Sequence, residues 1–377
     1  MNLRRLRAIF HKEWLHIVRD PRSLGMALAL PLVLLMLFGY ALTLDVDRIP
    51  TIINDQDNTP QSRELIERFR GSRYFTVLDT RGNYRDIVRG IDDSSVLLGV
   101  VIPSDYSEAL ASNREATVQL LLDGSDSNTA SIAAGYAESL LLTYSMELRQ
   151  QAQQRRGMDP LKQPLDARLR IVYNNEQKSK NFIVPGLIAV ILMIIAALLT
   201  SLTVAREWES GSMEQLLSTP VRPLELLLGK LLAYFTLGFV DMLVTVLVGV
   251  FVFHVPLRGN PLLLIASACL FLFGALCWGI FLSTVTRSQL LAYQASLLSS
   301  FLPAFLLSGF IYSIENMPFV IQQVTRIIPA RYFVTIMKGI FLKGVGFTVL
   351  WTEFLFLLIY AALVLLIAAR KLREKMA

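Results

Sequence analysis

Ala205 to Tyr234 reads AREWESGSMEQLLSTPVRPLELLLGKLLAY, a block dense in charges and turn residues between two apolar runs, Asn181 to Ala205 and Leu231 to Leu257. Each run exceeds the roughly 20 residues a helix needs to cross a hydrocarbon core, so the block joins two membrane spans. Its centre has its own helix signals. Ser212 and Gln215 have capping-box spacing, Gly211 permits the turn before them, Pro220 stops the run and Pro223 suits the first turn of the next helix. Glu207, Glu209 and Glu214 accompany a compact apolar triplet, Met213, Leu216 and Leu217. At this level two readings stand: a solvated loop kept out of lipid by its charges, or a small rigid helix presented to a partner.

Outward from the block, the 377 residues contain four further stretches of spanning length. Ser23 to Leu44, Gly259 to Thr286 and Ser288 to Ile314 carry no charge, and Gly344 to Ala369 carries only Glu353. With a mean hydropathy of +0.50 and 18% charged residues, the composition is that of a membrane protein. Six crossings place both termini on one side. Arg4, Arg5, Arg7, Lys12, Arg19 and Arg22 precede the first span and Arg370, Lys371, Arg373 and Lys375 follow the last, so that side is cytoplasmic. The block at 206–230 is then cytoplasmic, and 45–180 and 313–343 lie outside.

The flanking segments have periodicities of their own. In 1–22, Leu3, Leu6, Phe10, Trp14 and Ile17 recur at steps of three and four with basic residues on other faces, the pattern of an amphipathic helix in the membrane interface. Asp20 and Pro21 end it. The 45–180 segment, with 17 basic and 20 acidic residues, alternates strand-like and helix-like runs, which argues for an inserted α/β domain. Strands are expected at Thr51–Asn54, Tyr74–Asp79, Val96–Ile102, Thr117–Leu122 and Leu165–Tyr173, helices at Gln61–Arg70, Tyr84–Gly90 and Asp105–Ser112, and a long helix from Asn128 to about Arg155. Both cysteines, Cys269 and Cys277, fall within one span, so this domain holds itself together without a disulfide. Beyond the fifth span, short helices are expected after Asn316-Met317-Pro318 and from Tyr332 to Phe341, with Pro329 as the break.

Asp241 lies eleven residues past Lys230, about 16 Å along a helix and near mid-membrane. A carboxylate at that depth costs on the order of 2.5–3.5 kcal/mol, so it either lines a substrate or ion route or is satisfied by neighbours such as Thr236 and Thr245. Asp123 and Asp126, in DGSDSNTA, suit a turn and N-cap better than a metal loop. No basic stripe marks a nucleic-acid surface, no histidines have ligand spacing and no nucleophilic triad is present. There is also no GxxxxGK[ST] phosphate loop, since Gly229-Lys230 is flanked by leucines. An energy source for transport would have to be another polypeptide.

The block, taken with the spans around it, resembles the ABC-2 type ABC-transporter permeases. The resemblance rests on Arg206-Glu207-Trp208-Glu209, Gly211 through Pro220, and Leu228-Gly229-Lys230. It extends to Phe182-Ile183-Val184-Pro185-Gly186, Leu307-Ser308-Gly309-Phe310, Asn316-Met317-Pro318 and Ile328-Pro329-Ala330-Arg331-Tyr332-Phe333, and is strongest with the multidrug-export-like subgroup that carries a large periplasmic domain after the first span. It implies a six-span permease subunit of the bacterial inner membrane, working with a second copy or a sister permease, with a periplasmic adaptor as a further candidate partner. It places no cofactor on this chain and puts ATP and Mg on a separate ABC ATPase. Arg206, Glu207, Glu209, Gly211, Glu214, Leu216, Leu217 and Pro220 would form the coupling contact, and the substrate route would be lined chiefly by the second and fifth spans. A membrane-anchored sensor or assembly protein acting through its α/β domain is the competing class, and it leaves the structured block without a task.

Overall fold

A computed structural model describes residues 2–41, 48–80, 82–112, 114–155, 173 and 178–376. Its contacts divide the chain into two compact units, Met1–Thr43 with Ile171–Ala377, and the insertion Leu44–Arg170.

Helix α1, Leu3–Arg19, is opened by Asn2, whose side chain accepts from the Arg4 N–H. It buries Ile9, Glu13 and Ile17 and ends at Asp20. Pro21 then occupies the first turn of α2, Pro21–Ala41, where its missing N–H costs nothing.

The insertion follows in chain order: β1 Ile49–Asp55, α3 Pro60–Gly71, β2 Phe75–Asp79, α4 Tyr84–Asp92, β3 Leu98–Ile102, α5 Tyr106–Ala111, β4 Gln119–Leu122 and α6 Ser127–Arg155. The expected alternation is present, with no end displaced by more than two residues. The strand expected at Leu165–Tyr173 falls, apart from Tyr173, outside the described residues. The sheet order is β2-β1-β3-β4, parallel except for β3 with β4, and Thr51 pairs with Leu98. The core is Ile53, Leu65, Phe69, Phe75, Leu98 and Val100, closed by Ala133, Ala137 and Tyr144 of α6. Asp123 accepts from the Ser125 N–H at 2.9 Å and Asp126 from Thr129, so both work within the turn that leads into α6.

The long helices return with α7, Ser179–Glu209. Then come α8 Ser212–Leu217, α9 Pro223–Phe251, α10 Pro261–Thr286, α11 Gln289–Leu307, α12 Phe319–Thr325, α13 Pro329–Lys338 and α14 Phe347–Met376. Five described helices, namely α7, α9, α10, α11 and α14 to Lys375, are long and apolar enough to cross a membrane. The remaining expected span is α2, whose apolar stretch runs Ala27–Ala41. The protein is thus a mostly helical, multi-pass membrane protein, with a small four-stranded sheet among the described residues.

In this unit α7 is the hub, buried along most of its length and packed against α2, α9, α10, α11 and α13. Hydroxyls lock it to α10: Thr200 donates to the Leu276 carbonyl at 2.9 Å, and Ser283 accepts from the Val204 and Ala205 N–H groups. Short polar side chains of this kind hold helices together where lipid supplies no hydrophobic drive between them. Within α11 a π turn at Leu297–Phe301 precedes Pro303, widening the ladder where the proline lacks an N–H and its ring crowds the preceding turn. The expected break falls just before Pro329, between α12 and α13, and Pro329 itself begins α13, three residues ahead of the expected start at Tyr332. At the end of α13, Lys338 donates to the Gly309 carbonyl at 2.8 Å and lies over the Phe182 ring at 3.4 Å, tying α13 to the exit of α11 and the entry of α7.

Candidate functional site

The quoted block divides between three helices. Residues 206–209 complete α7 and 223–230 begin α9, so only 210–222 leaves the bundle, with α8 at its centre. Gly211, at φ +70°, is the N-cap of α8, a left-handed position that a side chain would strain. The expected Ser212–Gln215 capping box is absent. The Gly211 turn displaces Ser212 into the helix, and its hydroxyl donates instead to the Glu207 carbonyl at 3.4 Å.

Helix α8 has an inner and an outer face. Met213 is fully buried in the bundle core and Leu216 is half-buried against it, so the apolar residues anchor the helix. Glu214, Gln215, Ser218, Thr219 and Pro220 are exposed on the other side. The side chain of Leu217 lies outside the described residues. Ser218 and Thr219 close the C-terminal end, their hydroxyls donating to the Gln215 and Leu216 carbonyls at 2.7 and 2.6 Å.

The last turn of α7 splits its residues by helical angle. Arg206 and Glu209, three apart, both reach Gln289. Glu209 accepts from the Gln289 backbone N–H at 2.8 Å and from its amide Nε2 at 2.5 Å, placing a carboxylate on the first N–H of α11 where the helix dipole favours negative charge. Between them, Trp208 packs under the Arg287 guanidinium, 4.4 Å from the ring centre. The end of α7 is thereby fixed to the turn between α10 and α11.

Glu207 points the other way, into the bundle. It is 6% exposed, and its Oε1 lies 2.7 Å from Lys12 Nζ and 2.9 Å from Lys230 Nζ. Lys230, 1% exposed, also donates to Glu13 Oε1 at 2.8 Å. Two lysines and two glutamates from α1, α7 and α9 thus form one alternating cluster. Burial alone would raise the pKa of Glu13, but Lys230 and then Lys12 outweigh it and hold the carboxyl below its ordinary value. A second tie lies a few residues away. Glu225 accepts from the Asn2 N–H at 2.6 Å and the Arg222 N–H at 3.2 Å, with Arg5 beside it at 3.9 Å, while Arg5 also donates to the Pro220 carbonyl. Helix α1 approaches α9 closely enough that a Cβ on Gly229 would meet Ile9 at 2.6 Å.

Of the expected contact residues, Gly211, Glu214 and Pro220 are exposed around α8, Leu216 anchors it, Arg206 and Glu209 bind Gln289, and Glu207 is interior. Sequence reasoning missed Glu13, Lys230, Gln289 and Arg287. Glu13 had a readable signal: Ile9, Glu13 and Ile17 are four apart, a charge on the buried stripe of an amphipathic helix. Asp241 is 1% exposed and neither carboxyl oxygen has a hydrogen-bond partner among the described residues. Thr236 donates to the Leu232 carbonyl and Thr245 to the backbone carbonyls of Asp241 and Met242, so neither hydroxyl serves the carboxylate.

Comparison with known proteins places this arrangement. Residues 21–370 match the model of the ABC-2 family transporter proteins. Over 96% of this chain and 95% of the relative, it is 40% identical to the probable multidrug ABC transporter permease YbhS of Escherichia coli. It is 31% identical to the probable multidrug ABC transporter permease YbhR of the same organism, over 95% of each chain. With the inner membrane transport permease YhhJ of Escherichia coli it shares 26% identity over 86% of this chain and 85% of that one. The family match and the end-to-end similarity agree with the helical bundle and its connecting helix: the chain belongs to the ABC-2 family of transporter permeases.

Proposed function

We propose that this chain is the membrane-spanning subunit of an ATP-driven exporter in the bacterial inner membrane, driven by a separate ABC ATPase that docks on α8. The observation that carries the reading is the construction of α8: a short helix whose Met213 is fixed in the core, with Leu216 half-buried against it, while Glu214, Gln215 and the 218–220 turn are exposed. Such a helix is stiffly mounted. A push on its outer face passes into α7 and α9 through the Glu13–Lys230–Glu207–Lys12 cluster and into α11 through Glu209 and Gln289, so a rigid-body motion of the ATPase becomes one of the spans.

In this reading Gly211, Glu214 and Pro220 belong to the docking surface, Leu216 supports it, and Leu217 is assigned to the same contact by the family resemblance alone. Arg206, Glu207 and Glu209 transmit from behind it. Six spans, α2 included, leave both termini and α8 in the cytoplasm and the insertion in the periplasm. Two permeases, identical or sister chains, with two ATPases holding ATP and Mg, complete the transporter. Drug-like solutes are the substrate class suggested by YbhS and YbhR, each a probable multidrug ABC transporter permease, and lipid-like solutes are equally compatible with an apolar bundle.

The test is charge reversal on the outer face. Glu214→Lys, expressed at the wild-type level, is expected to lose copurification with the ATPase and to reduce nucleotide-dependent export in inverted vesicles at least tenfold. Normal export by that variant would overturn the assignment.

A further inference from the structure

Helix α6 closes the core of the insertion with Ala133, Ala137 and Tyr144, so the face turned away from that core should be polar. It is not polar throughout. Leu142 and Met146, one turn apart, are 59% and 54% exposed, and Glu138 and Arg149 are exposed to either side of them. At 3.6 residues per turn the four side chains fall within about 80° of one another, along about 16 Å of helix. They form one stripe in the order acid, two large apolar residues, base.

Elsewhere on the insertion, charges pair locally. Arg68 meets Glu64 and Glu147 at 3.7 and 2.7 Å, Arg70 meets Glu67 at 2.6 Å, and Arg114 meets Glu108 at 3.0 Å. Glu138 and Arg149 have no ion pair among the described residues, and no residue three or four positions from either carries the opposite charge. The order of the stripe is also self-complementary. An identical helix laid antiparallel sets Leu142 against Met146 and Glu138 against Arg149, each pair occurring twice. That is a two-fold, isologous contact with an apolar centre and a charged rim. An unrelated partner would need the same order of four residues, whereas a second copy has it already.

We infer that α6 is a contact between two copies of this chain, an antiparallel pair with Leu142 and Met146 at its centre and Glu138 and Arg149 setting its register. The patch is small. It acts where two copies are already held in one membrane, because a second contact then forms within an existing pair and needs little affinity of its own. In this respect it rests on the reading of two identical permeases. It concerns the insertion alone and needs no ATPase, so its failure and a failure of export are separable.

The test uses the full chain in membranes, with Cys269 and Cys277 changed to serine and two affinity tags to tell the copies apart. A short bis-maleimide should join Glu138→Cys on one copy to Arg149→Cys on the other at least tenfold better than it joins two Glu138→Cys or two Arg149→Cys copies, because the antiparallel register parts like positions by about 15–18 Å. Charge exchange reads the rim. Glu138→Arg alone and Arg149→Glu alone should each lower the crosslink between Leu142→Cys and Met146→Cys at least fivefold, since each sets like charges together in both pairs. Mixing a Glu138→Arg copy with an Arg149→Glu copy should restore it, because every charge then meets its opposite. All four positions are exposed, so thermal unfolding of the variants should match the parent. Equal yields from like and unlike cysteine pairs, charge variants that mixing does not restore, or crosslinks to another protein in place of a second copy overturn the proposal. Subunit counting by photobleaching separates the two ways it can fail: two copies per particle without the crosslink overturn this contact alone, and one copy per particle overturns the two-permease reading with it.

Discussion

At the scale of single residues, the molecule concentrates cost and specificity in Lys230. It is among the largest fully buried side chains, and it is tolerable only because Glu13 and Glu207 flank it at 2.8 and 2.9 Å. Removing one member of a buried cluster strands the others. Lys230→Met is expected to destabilise the bundle by about 3–5 kcal/mol, and adding Glu13→Leu to recover part of that loss, since the stranded charge goes with it. Denaturation in nanodiscs measures both. Glu13 also gives a pH signature. Its folded pKa is lowered, so between that value and the ordinary carboxylate range the unfolded chain binds more protons and stability rises with pH. The contribution is complete above the ordinary range and is lost as pH falls through the depressed value. Glu13→Gln should flatten that acid limb of the melting profile, and an unchanged limb would show that Glu13 is not its source. Part of this was legible in sequence: Glu13 interrupts an apolar stripe, and Lys230 stands at a membrane boundary. The pairing was not legible, because the partners lie 195 and 217 positions apart and no periodicity connects such distances.

At the scale of elements, starts and stops were written plainly. Asp20-Pro21 ended α1, and the α/β alternation of the insertion appeared with small shifts at its ends, because prolines, caps and hydrophobic period act within a few residues. The interior of the 206–230 block was less readable. The apolar triplet suggested a surface made to be touched, yet Met213 anchors α8 inward, and a positive φ at Gly211 displaced the expected cap from Ser212. Tertiary burial decided the face, and a six-residue helix has too few turns to announce it. The contact of α1 with α9 is equally a packing fact. Gly229→Leu would drive a side chain into Ile9 and the Leu6 carbonyl, and is expected to cost about 1–3 kcal/mol and to detach α1. Faster proteolysis of the first 20 residues in the variant checks this, and equal protection would contradict it.

At the scale of the whole molecule, hydropathy and loop order were sufficient for the class: a multi-pass helical protein with an inserted sheet domain and a structured connection between two spans. What they could not supply was the mounting of that connection. Three helices share one buried ion cluster on one side of α7, and the turn before α11 holds the other, so the surface of α8 is stiffened from two directions. The central claim is that an ATPase presses on this surface. It is tested by placing single cysteines at Gln215, exposed on α8, and at Gln61, exposed on the inserted domain, in a chain whose Cys269 and Cys277 are changed to serine, and then crosslinking in membranes that contain the ATPase. The account requires Gln215→Cys to capture the ATPase, with a yield that changes on nucleotide binding, and Gln61→Cys to capture none; absence of the ATPase from Gln215→Cys, or its capture by Gln61→Cys, would contradict it.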